Sequence, residues 1–447
     1  MLLTEAASRE ITRKVLGSVT ADDAVVTVDS LDYSHLRFAA NTFLTSGRRE
    51  GVSVRVTTWI GRRRGSASTT DVSDAALKQA VEDAQAFAKL SPIDVEYLPS
   101  LSQQTYKPGG GYVDATARVD LPARARQISE AIAQSEKVKV VGAGFHQARL
   151  TARASATAHG NFHYERESLV GLGMTARTPD GAGSGYFSRN HFDVARLDTA
   201  RIAREAIRRA SDSRGARMLP AGAYPVILEA QAVADLLDSG GMSFDARNAD
   251  EGRSVFSLPG GATRVGTRLF DPRVNIVSDP WRPELSKFTA ADDGLPAQTM
   301  YLVRNGMVES LRYTRFWAQQ KNRQPSGPLA LILEPSTPGV SVDEMIRTAK
   351  RALLVTRFFY IRTVDPRSAS VTGLTRDGVW YVEDGEIKYP VRNFRFNQSI
   401  VLMLGPGNVD QIGVPERVAS SEGGIDPLLV PALRLNAFNF TSQSDAV

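Results

Sequence analysis

Two dipeptides constrain the second half of this chain more than any other feature. Asn305-Gly306 separates Tyr301-Leu302-Val303 from residues 308–313, and Asp384-Gly385 separates Val379-Trp380-Tyr381-Val382 from residues 387–391. Asn-Gly and Asp-Gly supply the consecutive positive φ angles of a type I′ turn, whose twist matches that of paired antiparallel strands. Apolar, β-branched and aromatic runs on both sides complete the hairpin pattern. The region 220–447 is therefore expected to be a β-rich, barrel-like domain, with helices only at 230–238, 342–350 and near 399–404.

The first half reads differently. Residues 4–16 have helical spacing, and 24–28, 36–41 and 53–60 have the alternation or apolar richness of strands. Leu77, Ala80, Val81, Ala84, Phe87 and Ala88 recur at three and four, the stripe of an amphipathic helix starting near Ser73 and Asp74. Residues 99–111, ending in Lys107-Pro108-Gly109-Gly110-Gly111, read as a linker. Beyond it Asp120 is an N-cap with Pro122 in the first helical turn, strands follow at 138–145, 148–156 and 169–176, and a helix at 200–209. Helix, strands, helix thus occurs twice, dividing 1–212 into units at 1–98 and 112–212. Turn formers from Ser213 to Gly222 mark the domain boundary. The expected fold class is α+β, a mixed α/β, sandwich-like domain over 1–212 followed by the β-rich domain.

Composition matters here mainly for what it removes. None of the 447 residues is Cys, which excludes disulfides, thiolate zinc sites, iron–sulfur ligation and cysteine nucleophiles. The net charge of +5, from 54 basic and 49 acidic residues, is weak beside the clustered basic faces of nucleic-acid binders. Neither an apolar signal-like start nor an 18-residue apolar run appears, so a cytoplasmic, non-membrane protein is expected.

Motifs that carry chemistry are scarce. His159 and His163 lie four apart with Glu165 nearby, but Gly160 and Asn161 spoil the helix that would turn both imidazoles to one metal, and turn and strand histidines are the plainer reading. The run from Gly181 to Gly185 lacks the Gly-Lys-Ser/Thr ending of a phosphate loop and reads as a hairpin loop. Arg62-Arg63-Arg64 reads as a solvated hairpin tip, and Asp250-Glu251 and Asp292-Asp293 as surface loops rather than paired catalytic carboxylates.

Several segments together resemble the TldD/PmbA family, also called TldD/TldE or "modulator of DNA gyrase" proteins. They are Val52 to Val56 leading to Ser66–Thr70; Ala158-His159-Gly160 with Tyr164-Glu165-Arg166; and Asp250-Glu251-Gly252-Arg253-Ser254-Val255-Phe256-Ser257. Asp292-Asp293-Gly294-Leu295-Pro296, Leu302 to Gly306 and Gly385 to Asn393 complete the series. The resemblance implies a two-domain α+β protein and a peptidase heterodimer acting on unfolded or leader-bearing peptides. In it a zinc-bearing TldD-type subunit pairs with a metal-free PmbA/TldE-type subunit. The zinc-bearing subunit carries a His-Glu-x-x-x-His helix, two histidines on zinc and the Glu as general base, with a later cysteine as a further ligand.

This chain departs from that pattern where the chemistry sits. The motif window is Ala230-Gln231-Ala232-Val233-Ala234-Asp235, so the two histidines and the glutamate become Ala230, Asp235 and Gln231. The cysteine position falls near Asn322-Arg323-Gln324, and no His follows His191. The expectation is a non-catalytic, metal-free subunit with no cofactor of its own, zinc being in a TldD-like partner. Assembly as a heterodimer or a homodimer would hold an extended peptide, on hairpin edges such as those at Asn305-Gly306 and Asp384-Gly385. A metal-dependent peptidase with a site relocated to His159, His163 and Glu165 is the alternative, and a nucleic-acid-associated protein a weaker one.

Overall fold

The computed structural model describes residues 2–422 and 426–444. The first half is one antiparallel sheet of six strands: β1 (Asp23–Ala39), β2 (Thr42–Ile60), β3 (Arg63–Thr69), β4 (Val141–Thr157), β5 (Phe162–Arg177) and β6 (Ser184–His191). Their order across the sheet is β3-β2-β1-β4-β5-β6, symmetric about the central β1–β4 pair. Each three-strand half is bracketed by helices: α1 (Glu5–Gly17) and α2 (Asp74–Leu90) around one, α3 (Leu121–Lys137) and α4 (Thr199–Asp212) around the other. Thr4, Ser73, Asp120 and Asp198 cap these helices through their side-chain oxygens.

Strand parity decides which face is covered. Val26, Val28, Leu36 and Phe38 share one parity on β1 and are buried. The first two join α1 and α2 in one apolar cluster, and the last two join α3 and α4 in a second. All four helices therefore lie on one face, side by side. The two halves also reuse one packing device. A Cβ on Gly65 of β3 would sit 2.1 Å from the Ala84 carbonyl oxygen of α2, and one on Gly185 of β6 would sit 2.3 Å from the Ala206 carbonyl oxygen of α4. Only a missing side chain lets the edge strand and its helix approach so closely.

The strands are longer than the sequence pattern suggests. Residues 24–28 and 36–41 belong to one strand that ends at an Ala40-Asn41 turn with φ of 51° and 56°. The stretches at 138–145 and 148–156 merge in the same way into β4. Mixed polar residues on the uncovered face hid this continuity. Residues 99–111 are not a free tether either: Ser100 is bonded to Asp23, the Tyr106 hydroxyl donates to the Gly294 carbonyl at 2.6 Å, and the Lys107 carbonyl accepts from Trp281.

The second half is a curled, β-rich half-barrel. A nine-stranded sheet runs from Phe358–Asp365 through Leu433–Gln443, Gly222–Leu228 and Arg351–Val355 to Glu386–Pro390, and a six-stranded sheet from Met307–Val308 through Val274–Ser278 to Glu416–Ala419. Both expected I′ turns are present, with φ of 49° and 79° at Asn305-Gly306 and 48° and 79° at Asp384-Gly385. Among the described residues, pairing between these strands is antiparallel except where Arg351–Val355 meets Gly222–Leu228 and where Ile332 meets Leu429. Phe358, Phe394, Phe396, Phe438 and Phe440 pack ring to ring at the centre of the core. Among the described residues no helix is long and apolar enough to cross a membrane.

Candidate functional site

The helix that follows Gly222–Leu228 is α5 (Ala230–Asp238), and it carries the motif window. Ala230, Gln231 and Asp235 are all buried, at 3%, 5% and 2% exposure. Positions 231 and 235 are one helical turn apart, so their side chains meet: Gln231 Nε2 donates to Asp235 Oδ1 at 3.1 Å and to the Ala419 carbonyl at 2.7 Å. Asp235 also accepts from the backbone N–H of Ser421 at 2.7 Å and of Phe358 at 3.0 Å. Burial raises its pKa to about 6 against the pull of these donors. Across the seam between the halves, Ser188 of β6 donates to Gln231 Oε1 at 3.3 Å.

This arrangement does not fit a zinc ion. Ala230 offers a methyl group, and the donors around Asp235 and Gln231 are those of a structural joint that ties α5 to two strands. Arg323 lies on the exposed loop after the helix Arg315–Lys321, with its backbone N–H on Ala318, and bonds to neither Gln231 nor Asp235. The positions that the resemblance aligned with a metal centre are thus brought together only in part, as Gln231 with Asp235.

His159 and His163 point to different partners. His159, in the turn after β4, sits 2.8 Å from Ser100 Oγ and 3.4 Å from Asp23. His163, on β5, bonds Glu165 at 2.5 Å and packs against the Tyr106 ring, tilted by 31°, at 4.0 Å between centroids. Glu165 is in turn held by the backbone N–H and hydroxyl of Thr289 from the other half. Among the described residues no three His, Cys, Asp or Glu side chains gather as a metal-holding group.

A large open space lies elsewhere, against the face of the N-terminal sheet that the helices leave uncovered. Two adjoining cavities, of about 790 and 630 Å³, run between that face and loops of the half-barrel, and share Asp292, Asp293, Thr314 and Arg315 as a common wall. Asp292 is paired with Arg153 at 2.8 Å and Asp293 with Arg315 at 3.6 Å, so the loop read as a surface loop is a bar across the groove. Asp250 likewise is not a plain surface residue: it accepts from the Trp317 indole at 2.7 Å. The smaller cavity is lined by Thr27, Arg55, Thr57, Trp59 and Tyr97, the larger by Arg149, Glu167, Lys287, Arg312 and Arg417. Burial pushes Glu167 up to about 7 and Arg417 down to about 10, and lowers Lys287 from its ordinary value.

Sequence reasoning passed over this groove. The available signal was the alternation of Arg149, Thr151 and Arg153 with buried Ala148, Ala152 and Ala154, which marks a strand with a wet face. The glycines at 181–185 are explained without a ligand. Gly181 turns the hairpin at φ +69°, while Gly183 and Gly185 press on α4. The hairpin edge at Asn305-Gly306, expected to be open to a peptide, is occupied by the chain itself: Thr267 accepts from Val308, and Leu269 and Phe270 donate to Gly306.

With this geometry in view, the chain can be set beside known proteins. The profile of the PmbA/TldA metallopeptidase C-terminal domain matches residues 221–442, that of the central domain 112–214 and that of domain 1 33–88. The chain belongs to the PmbA/TldD family. No curated protein matches it in sequence. Among solved structures, the PmbA/TldD chain described here is similar to TldE from Thermococcus kodakarensis, at 15% identity over 98% of this chain and 99% of that one, with a TM-score of 0.83. It is also similar to a candidate modulator of a DNA gyrase from Thermotoga maritima, at 16% identity over 97% and 100% with a TM-score of 0.83. A third likeness is to a candidate modulator of DNA gyrase from Bacteroides thetaiotaomicron, at 13% identity over 98% and 99% with a TM-score of 0.78. At these identities the likeness is one of fold.

Proposed function

We propose that this PmbA/TldD-family chain is the metal-free, non-catalytic subunit of a two-subunit metallopeptidase complex that processes or degrades unfolded or leader-bearing peptides in the cytoplasm. The observation that carries the reading is the state of α5. Its motif positions are Ala230, Gln231 and Asp235, and the two polar ones are bonded to each other and to the backbone of Ala419, Ser421 and Phe358. A catalytic zinc site needs about three protein ligands and an open position, and this helix offers neither. The chemistry then belongs to a zinc-bearing TldD-like partner, and this chain contributes a wall of the peptide chamber. The groove between the sheet and the half-barrel supports that role, being long, polar and bordered by aromatic side chains.

The test is purification with and without a co-expressed TldD-like relative. The chain alone is expected to carry no stoichiometric zinc and to cleave no unfolded peptide, while the mixture runs as one hetero-oligomer with metal-dependent cleavage. About one zinc per isolated chain, or partner cleavage indifferent to this chain with only separate species on size exclusion, overturns the reading.

A further inference from the structure

The larger cavity has an unusual charge balance. Six basic side chains line it, and two of them are spoken for: Arg153 pairs with Asp29 and Asp292, and Arg315 with Asp293. Arg417 spends its guanidinium on the backbone carbonyls of Asn190, Glu284 and Leu285 and stands behind the wall as a fixed positive charge. Arg149, Lys287 and Arg312 remain, and among the described residues none of the three forms an ion pair or a side-chain hydrogen bond. Two carboxylates of the same wall, Glu167 and Asp426, also form no ion pair among the described residues; Glu167 feels the charges of Arg149 and Lys287, and Asp426 that of Lys287, which leaves a surplus of one positive charge among these groups. Arg149, Lys287 and Arg312 are all half-buried, and Arg312 has no carboxylate bonded to it among the described residues, so the wall can still take up an anion.

The surroundings favour an anion over a chance patch. Ser286, beside Lys287, holds φ at +47°, and its buried hydroxyl has no partner among the described residues. It also lines the cavity. A non-glycine residue in the left-handed region with an orphaned hydroxyl marks a loop whose shape serves something other than its own stability. Guanidinium and ammonium groups are donors that bind a carboxylate oxygen pair. A net surplus of one charge among the unpaired groups, or two with Arg417, suits a singly charged group better than a polyphosphate. The volume of about 790 Å³ is within the range of sites that hold small ligands.

We propose that this cavity is a carboxylate-binding site on the groove, in which Arg149, Lys287 and Arg312 hold a carboxylate carried by a peptide. The ligand class rests on the peptide-binding reading above; the site itself rests on the cavity. The carboxylate comes either from the chain end or from an acidic side chain, and both present the same two oxygens. In either case the site anchors one point of the peptide while the adjoining cavity, past the Asp292–Arg153 bar, takes the chain that continues from it.

The experiment is calorimetric titration of the isolated full-length chain with three N-acetylated pentapeptides. They are pentaalanine as the free acid, pentaalanine as the C-terminal amide, and the amide with a central glutamate. At least one acid-bearing peptide is expected to bind tenfold or more tightly than the neutral amide, with affinity falling as sodium chloride rises from 50 to 500 mM. Free acid alone assigns the chain end, the glutamate peptide alone assigns the side chain, and both together assign either. Inorganic phosphate at equal concentration should displace the peptide weakly. Lys287→Met and Arg149→Met should each weaken acid binding about tenfold while leaving the thermal midpoint within a few degrees, the cost of one lost charge-assisted bond. Equal binding of acids and neutral amide, full displacement by phosphate, or unchanged affinity in both variants overturns the proposal. These measurements need no partner subunit, so they fail or succeed independently of the cleavage assay.

Discussion

Replacing Gly65 or Gly185 by alanine is expected to unseat a helix from the N-terminal sheet. At Gly65 the new methyl would lie 2.1 Å from the Ala84 carbonyl oxygen and 2.3 Å from the Ala88 nitrogen, and at Gly185 it would lie 2.3 Å and 2.4 Å from the matching atoms of Ala206 and Ala210. The obstacles are backbone atoms of α2 and α4, so no side-chain rotation relieves them. Ordinary contact begins near 3.4 Å, and each helix must therefore retreat by about 1 Å. A gap of that size forfeits a quarter to a half of the dispersion attraction at the interface. The expected cost is about 2–3 kcal/mol for each substitution, the upper part of the range for overpacked cores. Because α2 and α4 belong to separate apolar clusters, the double variant should equal the two singles added, within about 0.5 kcal/mol. Urea unfolding followed by circular dichroism measures all three. Gly51→Ala is the control, since a Cβ there meets open space, and should stay within about 0.5 kcal/mol of the parent. If Gly65→Ala or Gly185→Ala is as mild as the control, close approach is not what these glycines provide. Strong non-additivity would mean that the two clusters act as one.

Asp235→Ala should destabilise by several kcal/mol in thermal or urea melts, since each of the N–H groups of Phe358 and Ser421 left unpaired costs about 1–3 kcal/mol; Asp235→Asn should cost less, because its amide oxygen can still accept from one of them. A neutral Asp235→Ala would show that α5 is not tied down through this carboxylate. Arg357→Met removes the closer of the two arginines paired with buried Asp377, leaving Arg376 at 3.8 Å, and should cost up to about 3–5 kcal/mol, part of it recovered by adding Asp377→Leu; no recovery in the double variant would refute the pairing argument. We also propose the division of the chain at 213–222. Trypsin should cut at exposed Arg214 or Arg217, and the two pieces should still elute together because the seam holds them. Elution as two separate peaks would contradict this.

Turn chemistry and helix caps were the most legible parts of the sequence. Asn305-Gly306 and Asp384-Gly385 fold as type I′ turns, and Ser73 and Asp120 cap the helices assigned to them, because these features depend on neighbours along the chain. The length of β1 and β4 was not legible, since their wet face interrupts apolar alternation with Asp29, Arg149 and Arg153. The two parallel strand contacts in the half-barrel were equally hidden, as non-local pairing leaves no mark on local sequence. For the site, the absence of histidine at positions 230 and 235 could be read directly. That Asp235 would instead bind two backbone amides from residues more than a hundred positions away could not. Nor could the meeting of Arg149, Lys287 and Arg312 in the wall of one cavity, since they come from one strand and two distant loops.

The uncovered face of the six-stranded sheet has a mechanical consequence. Lifting the helices from the other face would expose Val26, Val28, Phe38 and their neighbours at about 25 cal/mol for each Å² of apolar surface. Parting the half-barrel from the groove face uncovers mostly Thr27, Arg55, Thr57, Arg149 and Arg153, which water solvates readily. Resistance to such a movement is uneven. Along β6 the halves are riveted by Ser184 on Asp377, by Arg357 over Tyr186, and by the Arg209–Glu229 pair extending from α4. On the β3 side the cross-ties are solvent-exposed, such as Arg247 with Glu96 at 2.6 Å. A widening of the groove that also broke the ties of Glu165 to Thr289 and Arg153 to Asp292 would meet least resistance by turning about the β6 margin, as a clamshell turns about its spine, with the mouth beside Trp59 and Tyr97.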